Sequence, residues 1–145
     1  IKADVIAGTA TAGIPWAAFI AQKMKKPMVY VKKEAKEYGK EKQIEGQLEK
    51  GVEVVVVEDL ISTGGSSLQA VQALRDAGCI VNNCVAIFTY QMKKSDDAFL
   101  EKKCKNHTLT NFSALVELAS ANNYISSNEK KAILTWNKDP ENWKP

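Results

Sequence analysis

Apolar and polar positions along this chain follow two periods, and each change of period marks a new element. Residues 3–8 are a short apolar run that reads as a strand. Residues 13–25 place Ile14, Ala17, Ala18 and Ala21 on one face and read as a helix, with Pro15 tolerated in its first turn. Residues 27–32 read as a second strand. Residues 33–51 lose all periodicity: they are polar, rich in lysine and punctuated by Gly39, Gly46 and Gly51. That stretch predicts one long loop, and long loops within compact domains are usually lids or binding loops. Residues 52–58 are apolar enough to be buried on both faces, as in a parallel sheet covered by helices. A helix over 66–77 follows, ended by Gly78. Beyond it the pattern gives a strand over 80–90, a helix over 95–104, a short strand near 107–110, and helices near 112–122 and 127–136. Strands alternating with helices predict a single α/β domain over residues 1–145, with a parallel sheet and right-handed crossovers.

The chemistry concentrates where the central strand ends. The run Val54-Val55-Val56-Val57 stops at two adjacent acids, Glu58 and Asp59. Leu60 and Ile61 follow, then the loop Ser62-Thr63-Gly64-Gly65-Ser66, then a helical pattern at Leu68, Val71 and Leu74. Ligands of open α/β sheets bind at the carboxyl ends of such strands. The loop offers glycines for close backbone approach, hydroxyl donors and a helix N-terminus, which together suit a phosphate. It is neither a Walker loop, because no Lys follows Gly65, nor a dinucleotide fingerprint. Acids first and phosphate loop second suits a sugar phosphate, whose hydroxyls the carboxylates accept while the loop holds the 5′-phosphate. The plainer alternative is a strand-to-helix turn capped by Ser66 or Ser67. Capping does not account for a buried strand that ends in two acids.

Composition narrows the partners. A chain of 145 residues can bury a sizeable core. Its net charge of +3 is too slight to point to nucleic acid. No apolar run is long enough to cross a membrane, and no signal-peptide layout is visible. Three cysteines without C-x-x-C spacing (Cys79, Cys84, Cys104) favour reduced thiols and a cytoplasmic setting. Cys104 and His107 could share a metal in principle, but packing or exposure is the better reading.

The residues from Val55 to Ser66 resemble the phosphoribosyl-pyrophosphate motif of the type I phosphoribosyltransferases. A second segment, Tyr30-Val31-Lys32-Lys33-Glu34-Ala35-Lys36-Glu37-Tyr38-Gly39, resembles the mobile catalytic loop of orotate phosphoribosyltransferases, usually Arg-Lys-Glu-x-Lys-x-His-Gly. The opening Asp4 to Pro15 resembles that family's pyrophosphate strand and turn. The similarity covers most of residues 1–90 and fades towards the C-terminus. It implies the type I fold, a Rossmann-like central parallel sheet flanked by helices, with residues 33–51 as the mobile loop. The chain starts at Ile1 without Met and enters a strand almost at once. It therefore reads as the core and C-terminal part of a longer enzyme, without the family's base-contacting N-terminal hood.

The resemblance implies transfer of a phosphoribosyl group from 5-phosphoribosyl 1-diphosphate to orotate, in a homodimer that uses Mg²⁺ held mainly by the substrate, with no direct protein ligand. Lys36 and Asp59 would be catalytic. Lys32 and Lys36 would bind the donor across the dimer, and Lys33 within its own subunit; Tyr38 would also contact the donor. Glu58 and Asp59 would take the ribose hydroxyls. Leu60, Ile61, Ser62, Thr63, Gly64, Gly65 and Ser66 would surround the 5′-phosphate, with the Ser62 hydroxyl also near orotate. Thr9 to Gly13 would line the pyrophosphate side. The chemistry agrees with such a site: positive charge develops on the ribose as pyrophosphate departs, so cations on the phosphates and fixed negative groups near the ribose are needed. The lysines on a closing loop would supply those cations and exclude water.

Three positions depart from the family. Tyr38 stands for the usual His, Ala12 for a frequent Lys, and Tyr90 for an Arg that many members set against the orotate carboxylate. Two other functions remain open at this point. One is transfer to another base, such as adenine, xanthine or uracil. The other is a non-catalytic module that senses the donor, which would be expected to carry a broad basic face.

Overall fold

The computed structural model describes residues 1–33, 43–140 and 142–144. Strand β1 (Val5–Thr9) leads into helix α1 (Gly13–Met24), and β2 (Met28–Val31) follows it. A two-residue strand, β3 (Ile44–Glu45), precedes the long central strand β4 (Glu53–Ile61). Helix α2 (Gly65–Asp76), strand β5 (Ile80–Thr89), helix α3 (Lys93–Glu101) and strand β6 (Lys105–Asn111) continue the alternation. Helices α4 (Phe112–Ala121) and α5 (Ser127–Lys138) end the chain.

The strands form one sheet in the order β3-β2-β1-β4-β5-β6. All pairings are parallel except β2 with β3. The α/β architecture read from the sequence is therefore the observed one. The run of valines in β4 is buried because it sits between β1 and β5 with helices on both faces. Val54 and Val56 face the larger core, which α2 closes with Ala70, Val71 and Leu74 and α3 with Phe99. Val55 and Val57 face Ala17 and Ala21 of α1. On the α1 side one helix covers part of the sheet, and Trp16, Phe19 and Met24 of α1 and Leu109 of β6 remain exposed.

Two expectations need correcting. Residues 43–46 are not loop throughout, because β3 pairs antiparallel with β2 through Tyr30↔Glu45 and Val31↔Ile44. The Lys32 N–H donates to Gln43 O at 2.9 Å, and Lys32 pairs with Glu45 at 2.7 Å. A strand of two residues leaves no periodicity to detect. Strand β4 also runs three residues beyond the apolar stretch, because Leu60 and Ile61 still pair with Phe88 and Thr89 of β5. Glu58 and Asp59 thus lie inside a strand.

Close packing explains two glycines. A Cβ on Gly13 would stand 2.5 Å from Val57 O, and one on Gly8 would stand 2.9 Å from Ile14 Cα. Both bring the start of α1 hard against β1 and β4, beside the acid pair.

Candidate active site

Strand order reverses between β1 and β4: the chain leaves β1 for β2 on one side, while β4 leads to β5 on the other. Such a switch point opens a crevice at the carboxyl ends of the two strands. The residues found there are Thr9 at the end of β1 with Ala10 to Ala12 beyond it, and Glu58 to Gly64 at the end of β4 and the turn beyond it. Two of the segments singled out in the sequence, the turn after β1 and the acid pair with its loop, therefore come together, while most of the third, Tyr30 to Gly39, lies outside the described residues.

Helix α2 starts without help from a side chain. Its N-cap is Gly64, in left-handed geometry (φ 81°), and no side chain caps the first turn. Ser66 and Ser67 are not caps, which removes the plainer alternative for this turn. Gly64 is glycine for two reasons: its positive φ, and the Phe99 ring 2.9 Å from where a Cβ would stand. Gly65 differs. Nothing lies closer to its Cβ position than Thr63 Oγ1 at 3.9 Å. Backbone N–H groups at a helix start, with open space beside a glycine, suit an anion drawn close to the backbone.

Glu58 is 4% exposed, and its carboxylate is held by its own chain. Oε1 accepts from the Asp59 N–H at 3.2 Å. Oε2 accepts from the hydroxyls of Ser66 at 3.2 Å and Ser67 at 3.1 Å. Burial, with the neighbouring Asp59 carboxyl, pushes Glu58 up from 4.5 to about 7, against the opposing pull of the Asp59 N–H and the Ser67 hydroxyl. Asp59 is half-buried. Side chains alternate along a strand, so the two acids start from opposite faces of β4, with the Asp59 carboxyl still close enough to act on Glu58. The deeper is already bound to α2, and the shallower is the more accessible to a ligand.

Around this pair, Ser62 is half-buried and Thr63, Gly65 and Ser66 are exposed, whereas Ile61 is core. Leu60 is exposed. Thr9 is 4% exposed, and its Oγ1 has no hydrogen-bond partner among the described residues. Lys33 is exposed, while Lys32 is engaged with Glu45. Lys36 and Tyr38 lie outside the described residues. The Cys104–His107 pairing does not form a metal site: Cys104 belongs to the buried core, and His107 Nε2 lies 3.0 Å from Asn83 Oδ1. Among the described residues no cluster of three His, Cys, Asp or Glu could hold a metal ion.

Sequence reasoning missed the role of Tyr90. Its N–H donates to Ile61 O at 2.9 Å, tying the end of β5 to the end of β4. Its ring packs against Phe88, Phe112 and Trp136, with centroids 5.3, 5.6 and 6.1 Å away. Asn137 Nδ2 donates to Tyr90 O at 2.7 Å. Tyr90 thus docks helix α5 beside the site. Its signal was the aromatic content of Phe88, Tyr90, Phe112 and Trp136, spread over nearly fifty residues.

The Phosphoribosyl transferase domain family matches residues 1–121. The chain is 49% identical over 142 residues to an orotate phosphoribosyltransferase of Coxiella burnetii, covering 98% of this chain and 68% of the relative. The chain belongs to the orotate phosphoribosyltransferases. Among solved structures of that family, the Aeropyrum pernix protein superposes with a TM-score of 0.75 at 27% identity, covering 86% of this chain and 68% of the other. The Mycobacterium tuberculosis protein in complex with 5-phospho-α-D-ribosyl 1-diphosphate gives 0.62 at 25% identity, covering 77% and 64%. The chain thus spans about two thirds of the length of these orotate phosphoribosyltransferases.

Proposed function

We propose that this protein moves the phosphoribosyl group of 5-phosphoribosyl 1-diphosphate onto orotate, giving orotidine 5′-monophosphate and diphosphate in pyrimidine biosynthesis. The observation that carries the reading is the switch point itself. It sets an acid pair and an uncapped helix start, fronted by Gly64 and Gly65, at the mouth of one crevice. A ribose 5-phosphate spans that arrangement, with its phosphate on the N–H groups at the start of α2 and its hydroxyls towards Asp59 and Glu58.

Asp59 then holds the ribose while positive charge grows on its ring, a role suited to a fixed carboxylate. Gly65 and Ser66 hold the 5′-phosphate, and Ser62 also meets the base. Thr9 supports the diphosphate side, where its unpartnered hydroxyl gains an acceptor. Lys33 and Lys36 neutralise the departing diphosphate, with Lys36 acting in the site of a second copy. In this reading the active unit is a homodimer, and the exposed Trp16, Phe19 and Met24 on α1 support it as an apolar surface for the second copy. Mg²⁺ would be held mainly by the donor, as ions of this kind commonly are by substrate phosphates. When bound, it offsets the charge of the diphosphate. Three free buried thiols suit a reducing cytoplasm, and no described helix is long and apolar enough to cross a membrane.

The test is consumption of orotate by wild type and by Asp59→Asn. The amide replaces an acceptor with a partial donor. Turnover is expected to fall at least about a hundredfold, with donor binding weakened as well. Wild-type turnover in Asp59→Asn, or turnover with another base in place of orotate, would overturn the reading.

A further inference from the structure

Two serines donate to one oxygen of Glu58, and they are not equivalent. Ser66 is exposed, within reach of anything held at the start of α2. Ser67 is 1% exposed, shut in between Glu58 and the fully buried Cys84 of β5. A hydroxyl has a single proton to donate. If Ser66 turns its proton to a phosphate, it must leave Glu58. Ser67 has no route to that phosphate and keeps its partner.

We infer that Ser67, one residue beyond the phosphate loop, is a positioning residue: its buried hydroxyl keeps the Glu58 carboxylate in place for the ribose while Ser66 is released to the 5′-phosphate. The inference rests on the ribose reading of the acid pair. With the Asp59 N–H on Oε1 and Ser67 on Oε2, an ionised Glu58 retains lone pairs for a ribose hydroxyl. Without Ser67, donor arrival would strip Oε2 of both hydroxyls, and Glu58 would hold a proton instead of accepting one from ribose. Among the described residues, the titratable groups acting on Glu58 are Asp59 on its own strand and the Cys84 thiol on β5. Burial keeps that thiol protonated far above neutral pH.

The experiment is direct titration of 5-phosphoribosyl 1-diphosphate into wild type, Ser67→Ala, Glu58→Gln, the double variant and Asp59→Asn, from about pH 5.5 to 8.5, with orotate KM as a second readout. Donor affinity in wild type should rise with pH through neutrality. Ser67→Ala should weaken it about tenfold near pH 7, the usual scale for a hydrogen bond to a charged group. The rise should also move to higher pH, while orotate KM changes less than about threefold. In the Glu58→Gln background, removing Ser67 should add almost nothing to donor binding, because the ionised carboxylate that Ser67 favours is already gone, although the Gln carbonyl can still accept from it. An unmoved pH profile in folded Ser67→Ala would overturn the inference, and so would an equal loss in both backgrounds. Ser67→Cys keeps the shape with a poor donor and serves if the alanine variant fails to fold. Donor binding weakened by Asp59→Asn but not by Ser67→Ala refutes this inference alone. Binding unaffected by either refutes the ribose reading beneath it.

Discussion

Replacing Glu58 by Gln should flatten the pH dependence of stability, by an amount that can be worked from the site. In the folded chain, burial and Asp59 push this carboxyl from 4.5 to about 7. The unfolded chain releases the same proton near 4.5. Between those values the native state binds more protons than the unfolded state, so stability falls as pH rises. The contribution is fully present below about 4.5 and lost by the time pH has passed about 7. Each tenfold change is worth about 1.4 kcal/mol, so the whole effect is roughly 3 kcal/mol, of which roughly 2–3 falls between pH 5 and 8. Gln cannot ionise, yet its carbonyl can still accept from Ser66 and Ser67.

Urea unfolding at several pH values between 5 and 8 measures the difference. A domain of this size unfolds with a slope of about 1–3 kcal/mol per molar urea. The wild-type midpoint should therefore drop by about 1–2 M more than the variant's across that range. Other shifted groups among the described residues do not intrude. The thiols of Cys79, Cys84 and Cys104 are pushed up from 9, and Glu129, pulled down by Ser126, titrates below 4.5. Parallel midpoint curves for wild type and Glu58→Gln would refute the assignment of a neutral buried acid.

Gly64→Ala and Gly65→Ala should separate fold from function at adjacent positions. The first meets Phe99 at 2.9 Å in a left-handed backbone and should cost roughly 1–3 kcal/mol in unfolding experiments. The second meets only Thr63 Oγ1, at 3.9 Å, so its melting temperature should hold while donor affinity drops at least about tenfold by calorimetry. Trp136→Ala removes ring contacts to Tyr90 and Phe112, at 6.1 and 5.7 Å, and should cost roughly 2–4 kcal/mol by chemical denaturation. An unchanged stability there would mean that α5 does not depend on this aromatic contact.

How much of this was legible in the sequence depended on whether a signal was local. The valines of β4 announced a doubly covered strand because each faces a helix, and Glu58 and Asp59 stood out against them because acids are costly in such a run. Gly64 and Gly65 marked the loop, although sequence alone could not say that one serves backbone geometry and the other leaves open space. Strand β3 was invisible because it exists only through its pairing with β2. Tyr90 was misleading for a related reason: it was compared with a charged residue at one position, while its partners come from α4 and α5.

The acid pair shows where sequence reasoning stopped short. Adjacent carboxylates in a chain look interchangeable, and both were read as ribose contacts. The strand separates them: it turns Glu58 onto the serines of α2 and leaves Asp59 the more open to the crevice. Burial then makes the inner acid hold its proton to near neutrality. If the proposed ribose contact holds, a donor whose hydroxyls need an ionised acceptor must displace that proton on binding. Calorimetry in buffers of different ionisation enthalpy should therefore register net proton release from Glu58 when the donor binds near pH 6.5, an effect that fades above pH 8 and is absent in Glu58→Gln. Equal release by wild type and Glu58→Gln would place the proton on another group and separate Glu58 from donor recognition.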